Sequence, residues 1–198
     1  MSEMDYGALG LAVRDEVAEY FGRLSCINAV AALVDTAEVL GGRVSALTVR
    51  AFIYNPRITQ ALGDVNDPGA AERLQQAVAA GGQDTVALGM ETSSGLPAGD
   101  WAGHLVGVVE NFKPGKSLVI DATIEQANQP AQGILLRPVF LVVQPELLRS
   151  LFRAQIERCE VQYKAFPEET YFRSTGAWRN QEQRQIVRDR VLRRLGRI

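Results

Sequence analysis

The sequence predicts an α+β domain in which N-terminal helices pack on a mostly antiparallel sheet. Three observations carry that reading. Apolar residues recur at helical spacing up to residue 40, short β-branched runs follow, and a hairpin signature spans 105–121. At 198 residues and 46% hydrophobic, the chain can bury one substantial core.

Leu11, Val13, Val17, Tyr20 and Phe21 give residues 8–23 a helical stripe. The next helix, Cys26 to Leu40, is apolar on most sides, which places it at the centre of the domain. Ser25 stands at its N-cap and Gly41-Gly42 ends it. Val44 to Tyr54 alternates like a strand and stops at Asn55-Pro56. Residues 57–82 read as helix and loop, with 70–78 the clear helical piece, and Thr85 to Met90 reads as a short strand. Ser93 to Asp100 is rich in turn residues. Leu105 to Glu110 and Ser117 to Asp121 flank Lys113-Pro114-Gly115-Lys116 as a β-hairpin. Val139 to Val143 is a buried strand, and Glu157 to Phe166 is one more. Arg179 to Ile198 forms a basic helix with Ile186, Val187, Val191, Leu192 and Leu195 on one stripe.

Composition narrows the function classes. The start, Met1-Ser2-Glu3-Met4-Asp5-Tyr6, is acidic where a signal peptide is basic, and no apolar run is long enough to span a bilayer. A cytoplasmic protein without a membrane partner is the expectation. Cys26 and Cys159 lie in unlike contexts and read as free thiols. One histidine and two distant cysteines supply no metal-ligand spacing, so neither metal nor cofactor is expected. Residues 1–148 carry 9 Lys/Arg against 17 Asp/Glu, a net of −8, while 149–198 carry 12 against 6, a net of +6. An acidic body with a basic tail implies either internal docking of the tail or an anionic partner.

One histidine, His104, opens the apolar run Leu105-Val106-Gly107-Val108-Val109. Cys26 sits at a helix start, where the dipole and unpaired N–H groups favour a thiolate and can hold an oxyanion. Asp121 ends the partner strand, 17 residues after His104. That separation suits two strands and a turn, so the two side chains become cross-strand neighbours if they share a face. The central helix packed on that face brings Cys26 to them. Thiol, imidazole and carboxylate in this order serve as nucleophile, base and orienter. Each also has an ordinary reading: a core cysteine, a satisfied half-buried histidine, a turn or cap aspartate. Trp101 either walls the site as a substrate-binding residue or simply packs. Gln126 and Asn128 are the orienters of His104 if Asp121 points away and otherwise take plain loop roles, and Cys159 is an ordinary strand residue.

Cys26 at a helix start, Gly103-His104-Leu105-Val106 on a strand and Val119-Ile120-Asp121-Ala122-Thr123 on the next resemble the transglutaminase-like branch of the papain-like cysteine hydrolases. The resemblance spans residues 15–145 by order of elements. Arylamine N-acetyltransferases share the order, but no Arg-Gly-Gly-x-x-Cys approach precedes Cys26. What the resemblance implies is a papain-like catalytic domain over 1–166, with 167–198 a basic tail and helix. It also implies Cys26 as nucleophile, His104 as base and Asp121 as orienter, acting on an amide or ester of a peptide or protein substrate through a thioester. The alternative is a non-catalytic interaction module that makes contact through the basic C-terminal helix. Nucleic acid is a partner only through Arg188, Arg190, Arg193, Arg194 and Arg197 of that helix, against the acidic body. Oligomeric state is left open.

Overall fold

The computed structural model describes residues 4–62, 67, 69–79, 85–89 and 101–198; the expected turn-rich loop 93–100 lies outside them. Helix α1 (Tyr6–Phe21) is capped by Asp5, whose carboxylate accepts from the Ala8 N–H at 2.9 Å. Helix α2 (Cys26–Val39) and strand β1 (Ser45–Tyr54) follow. Then come α3 (Pro56–Leu62), α4 (Ala70–Ala79) and β2 (Thr85–Leu88). The hairpin strands are β3 (His104–Lys113) and β4 (Lys116–Asp121), and β5 (Val139–Val143) lies beyond. Strands β6 (Leu151–Ile156) and β7 (Cys159–Ala165) make a second hairpin, and α5 (Gly176–Arg179) and α6 (Gln181–Arg194) end the chain.

The strands form one sheet in the order β5-β4-β3-β1-β7-β6, with every pairing antiparallel. Strand β1 is shared along one edge: β3 takes Ser45 to Val49 and β2 takes Ala51 to Tyr54. The outer strands β5 and β6 approach each other, so the sheet is nearly closed. Strand β6 is an addition to the sequence expectation. Buried Phe152 and Ala154 alternate there with exposed Leu151, Arg153 and Gln155. Exposed Leu151 beside buried Phe152 puts two apolar residues in a row, which blurs that alternation in the sequence.

Two cores result. Val49, Ala51, Ile53, Val106, Val119, Val161 and Tyr163 fill the inside of the curved sheet. On its outer face, Val109, Leu118 and Ile120 meet Val13, Val17, Leu33, Ala37, Val187 and Val191 from α1, α2 and α6. Helix α1 lies close on β5 because residue 10 is glycine; a Cβ there would stand 2.5 Å from the Phe140 ring.

The basic tail docks on the acidic body. Arg190 and Arg194 each reach the buried Glu16 carboxylate at 2.6 Å, and Arg184 forks onto Asp35. Part of the charge asymmetry of the sequence is met within the chain. No helix among the described residues is long and apolar enough to cross a membrane.

Leu33 is fully buried where α2 meets the sheet, whereas Leu135 is 53% exposed. Leu33→Ala is expected to lower the unfolding free energy by roughly 2–5 kcal/mol, by lost transfer energy plus a cavity. Leu135→Ala should stay within about 0.5 kcal/mol of wild type. Urea denaturation with a shared slope measures both, and equal losses would contradict this division of the core.

Candidate active site

Ser25 takes an extended backbone before α2, and its carbonyl accepts the Ala29 N–H at 2.9 Å. Its side chain does not cap the helix. Instead the Ser25 Oγ accepts from Asn28 Nδ2 at 3.0 Å. The first-turn N–H groups of α2 are therefore not consumed by a capping side chain, and Cys26 is the first residue of that turn. The half-buried Cys26 is a free thiol beside an apolar cluster of Val30, Leu105 and Phe172, joined by Ile27, Trp101 and Trp178.

His104 opens β3 opposite Val49 of β1. Alternation gives it the same face as Val106 and Val108, which belong to the inner core. Helix α2 lies on the other face, where Leu33 packs toward Gly107. This corrects the expectation that α2 covers the face His104 points to. Thiol and imidazole nevertheless come near each other: the Cys26 sulfur is close enough to the ring to help raise the proton affinity of His104. They meet at the rim because both residues are the first of their elements, and only at a strand's end can the two faces communicate.

Asp121 is the last residue of β4 and is wholly excluded from solvent. The β3–β4 register pairs Gly107 with Ile120, which puts Asp121 across from Val106. His104 and Asp121 are therefore diagonal neighbours on one face, a separation that long side chains span. Asp121 Oδ2 lies 2.8 Å from His104 Nε2, so Nδ1 is the ring nitrogen that Asp121 does not hold. The Thr123 N–H donates to Oδ1 at 3.1 Å, so the turn after β4 also fixes the carboxylate.

A fourth residue completes the cluster. The Tyr163 hydroxyl donates to Asp121 Oδ2 at 3.1 Å from β7, and its ring stacks on Phe152. Sequence reasoning took this stretch only as a strand. The one available signal was that a tyrosine on the inner parity of a buried strand needs a partner for its hydroxyl.

Burial pulls the imidazolium of His104 down, but the charge and hydrogen bond of Asp121, aided by the Cys26 sulfur, raise it from 6.5 to about 10. Burial first, and then the charge and hydrogen bond of Asp121, hold the Tyr163 phenol well above its ordinary value. The pairing with Asp121 thus favours the protonated ring of His104.

Trp101 lies over Gly103; a Cβ at Gly103 would fall 1.9 Å from the indole. Its edge meets Phe172, which in turn meets Trp178. Trp101 therefore stands in the apolar cluster beside Cys26. Cys159 is away from the cluster: its thiol faces the Gly133 carbonyl at 3.8 Å, and burial pushes its pKa up. Asn128 clamps the loop before β5 through both the N–H and the carbonyl of Leu136.

Between pH 6.5 and about 10 the folded protein binds a proton on His104 that the unfolded chain releases. The stability from this pair is complete below pH 6.5 and is lost as pH rises through about 10. Urea midpoints of the wild type are expected to fall across that window, and His104→Gln should remove this component of the slope. A wild-type midpoint that stays flat there would overturn the assignment. No family model, no curated protein and no solved structure matches this chain.

Proposed function

We propose that the protein is a cysteine-dependent hydrolase or acyltransferase acting on an amide or ester. The observation that supports it is the buried His104–Asp121 pair at 2.8 Å, with the Cys26 thiol near the ring at a helix N-terminus. In the first half-reaction the Cys26 thiolate attacks the substrate carbonyl carbon, and the oxyanion faces the first-turn N–H groups of α2. The tetrahedral intermediate collapses, the C–N or C–O bond breaks, and the leaving group takes the proton from His104 Nδ1. In the second half, neutral His104 removes a proton from water or an acceptor amine as it attacks the thioester, and Cys26 departs as thiolate. Asp121 keeps the ring oriented through Nε2 in both halves. Trp101, beside Cys26 in the apolar cluster, lines the acyl side of the site in this reading.

The alternative, an interaction module working through the basic C-terminal helix, has less support. Arg184, Arg190 and Arg194 are engaged by Asp35, Glu16 and Glu19 of the same chain.

Iodoacetamide labelling of Cys26, followed by peptide mass spectrometry against pH, tests the proposal. Rapid labelling well below the ordinary thiol pKa of about 8.5 is expected, at least tenfold slower in His104→Ala. With p-nitrophenyl acetate, intact mass should show one acetyl group on wild type and none on Cys26→Ala. Slow labelling unchanged by His104→Ala would make Cys26 a packing residue and remove the proposal.

A further inference from the structure

Tyr163 reaches the cluster from β7, a strand that supplies none of the three proposed reacting groups. Its hydroxyl and His104 Nε2 share a single oxygen, Asp121 Oδ2, at 3.1 and 2.8 Å. The ring cannot turn away. It is fully buried and lies on Phe152 at 5.0 Å between centroids and 16° between planes.

We propose that Tyr163 is a positioning residue that divides the Asp121 carboxylate between two donors and so loosens its hold on the His104 proton. This rests on the reading of Cys26, His104 and Asp121 as a thiol centre. The chemistry needs such a device. A buried imidazolium facing one undivided carboxylate keeps its proton, yet acyl transfer requires the ring to give a proton up and then take one back. A hydroxyl on the same oxygen withdraws part of the charge the ring would otherwise feel. Its own deprotonation is suppressed by burial and by Asp121, so it stays a donor throughout the working range.

The pair has few other electrostatic neighbours among the described residues. Cys26 faces it from α2, while β1 and β5 bring Val49 and Val139 opposite His104 and Asp121. Changes in proton affinity at His104 therefore report on Tyr163 rather than on a crowd of charges.

The chain has a single histidine, so selective 15N-histidine labelling yields one imidazole to titrate by NMR. Three altered proteins accompany the wild type: Tyr163→Phe, 3-fluorotyrosine placed at position 163 as a stronger donor on the same ring, and Phe152→Leu. Tyr163→Phe is expected to raise the His104 midpoint by about one unit, a tenfold gain in proton affinity. The fluorinated ring should lower it. Phe152→Leu loosens the stacking that holds the Tyr163 ring, so it should cost stability and move the midpoint in the same direction as Tyr163→Phe, by less. With p-nitrophenyl acetate, Tyr163→Phe should accumulate acetylated Cys26 because deacylation slows at neutral pH. A midpoint unmoved by both changes at Tyr163 overturns the proposal, even where Cys26 labels rapidly. A midpoint that shifts as stated, in a protein whose Cys26 stays unreactive, supports the charge sharing and instead removes the thiol chemistry.

Discussion

The buried carboxylate of Asp121 is the constraint on which the site depends. A charge with no solvent contact is costly unless it is fully paired, and here three donors converge on it from three places in the chain. The imidazole of His104 supplies the countercharge, the Tyr163 hydroxyl shares the same oxygen, and the Thr123 N–H holds the other. Satisfying Asp121 fixes the register of β4 against β3, the rotamer of His104 and the approach of β7. The geometry presented to Cys26 follows from satisfying one acid.

The second constraint is the two-sidedness of the sheet. Helix α2 must lie outside, because Gly107 leaves room for Leu33 there and the inner face is already filled. His104 must point inside, in step with Val106 and Val108. A thiol from one layer and an imidazole from the other meet only at the rim, which is why the first residue of a helix and the first residue of a strand are the ones involved. The tail serves this arrangement mechanically. Val187 and Val191 pack with α1 and α2, and arginines of α6 clamp Glu16 and Asp35 on those helices, which fixes the axis that carries Cys26.

The aromatic wall is a further consequence of layering. Trp101, Phe172 and Trp178 fill the space between the start of α2, the entry to β3 and the segment before α6. A half-buried thiol beside such a wall is screened from bulk water on one side, where the charge of the nearby imidazolium acts more strongly than in solvent.

Much of this was written locally. The apolar stripe of α1, the all-round apolar α2 with Cys26 at its head, the Pro114-Gly115 turn between β3 and β4, and the positions of His104 and Asp121 all follow from spacing of three or four residues, alternation of two, and turn chemistry. Those signals need no knowledge of distant chain. The diagonal relation of His104 and Asp121, the face that α2 covers, strand β6 and the role of Tyr163 had no local sign, and the charge asymmetry left internal docking of the basic helix open beside an anionic partner. Each depends on a partner some distance away in sequence: Asp121 for His104, Leu33 for Gly107, Asp121 again for Tyr163, and Glu16 for Arg190. The sequence by itself determined which elements form and where the reactive residue types fall within them. Only the tertiary structure decided which of those residues touch, because burial and long-range pairing, not propensity, select one partner for a buried charge.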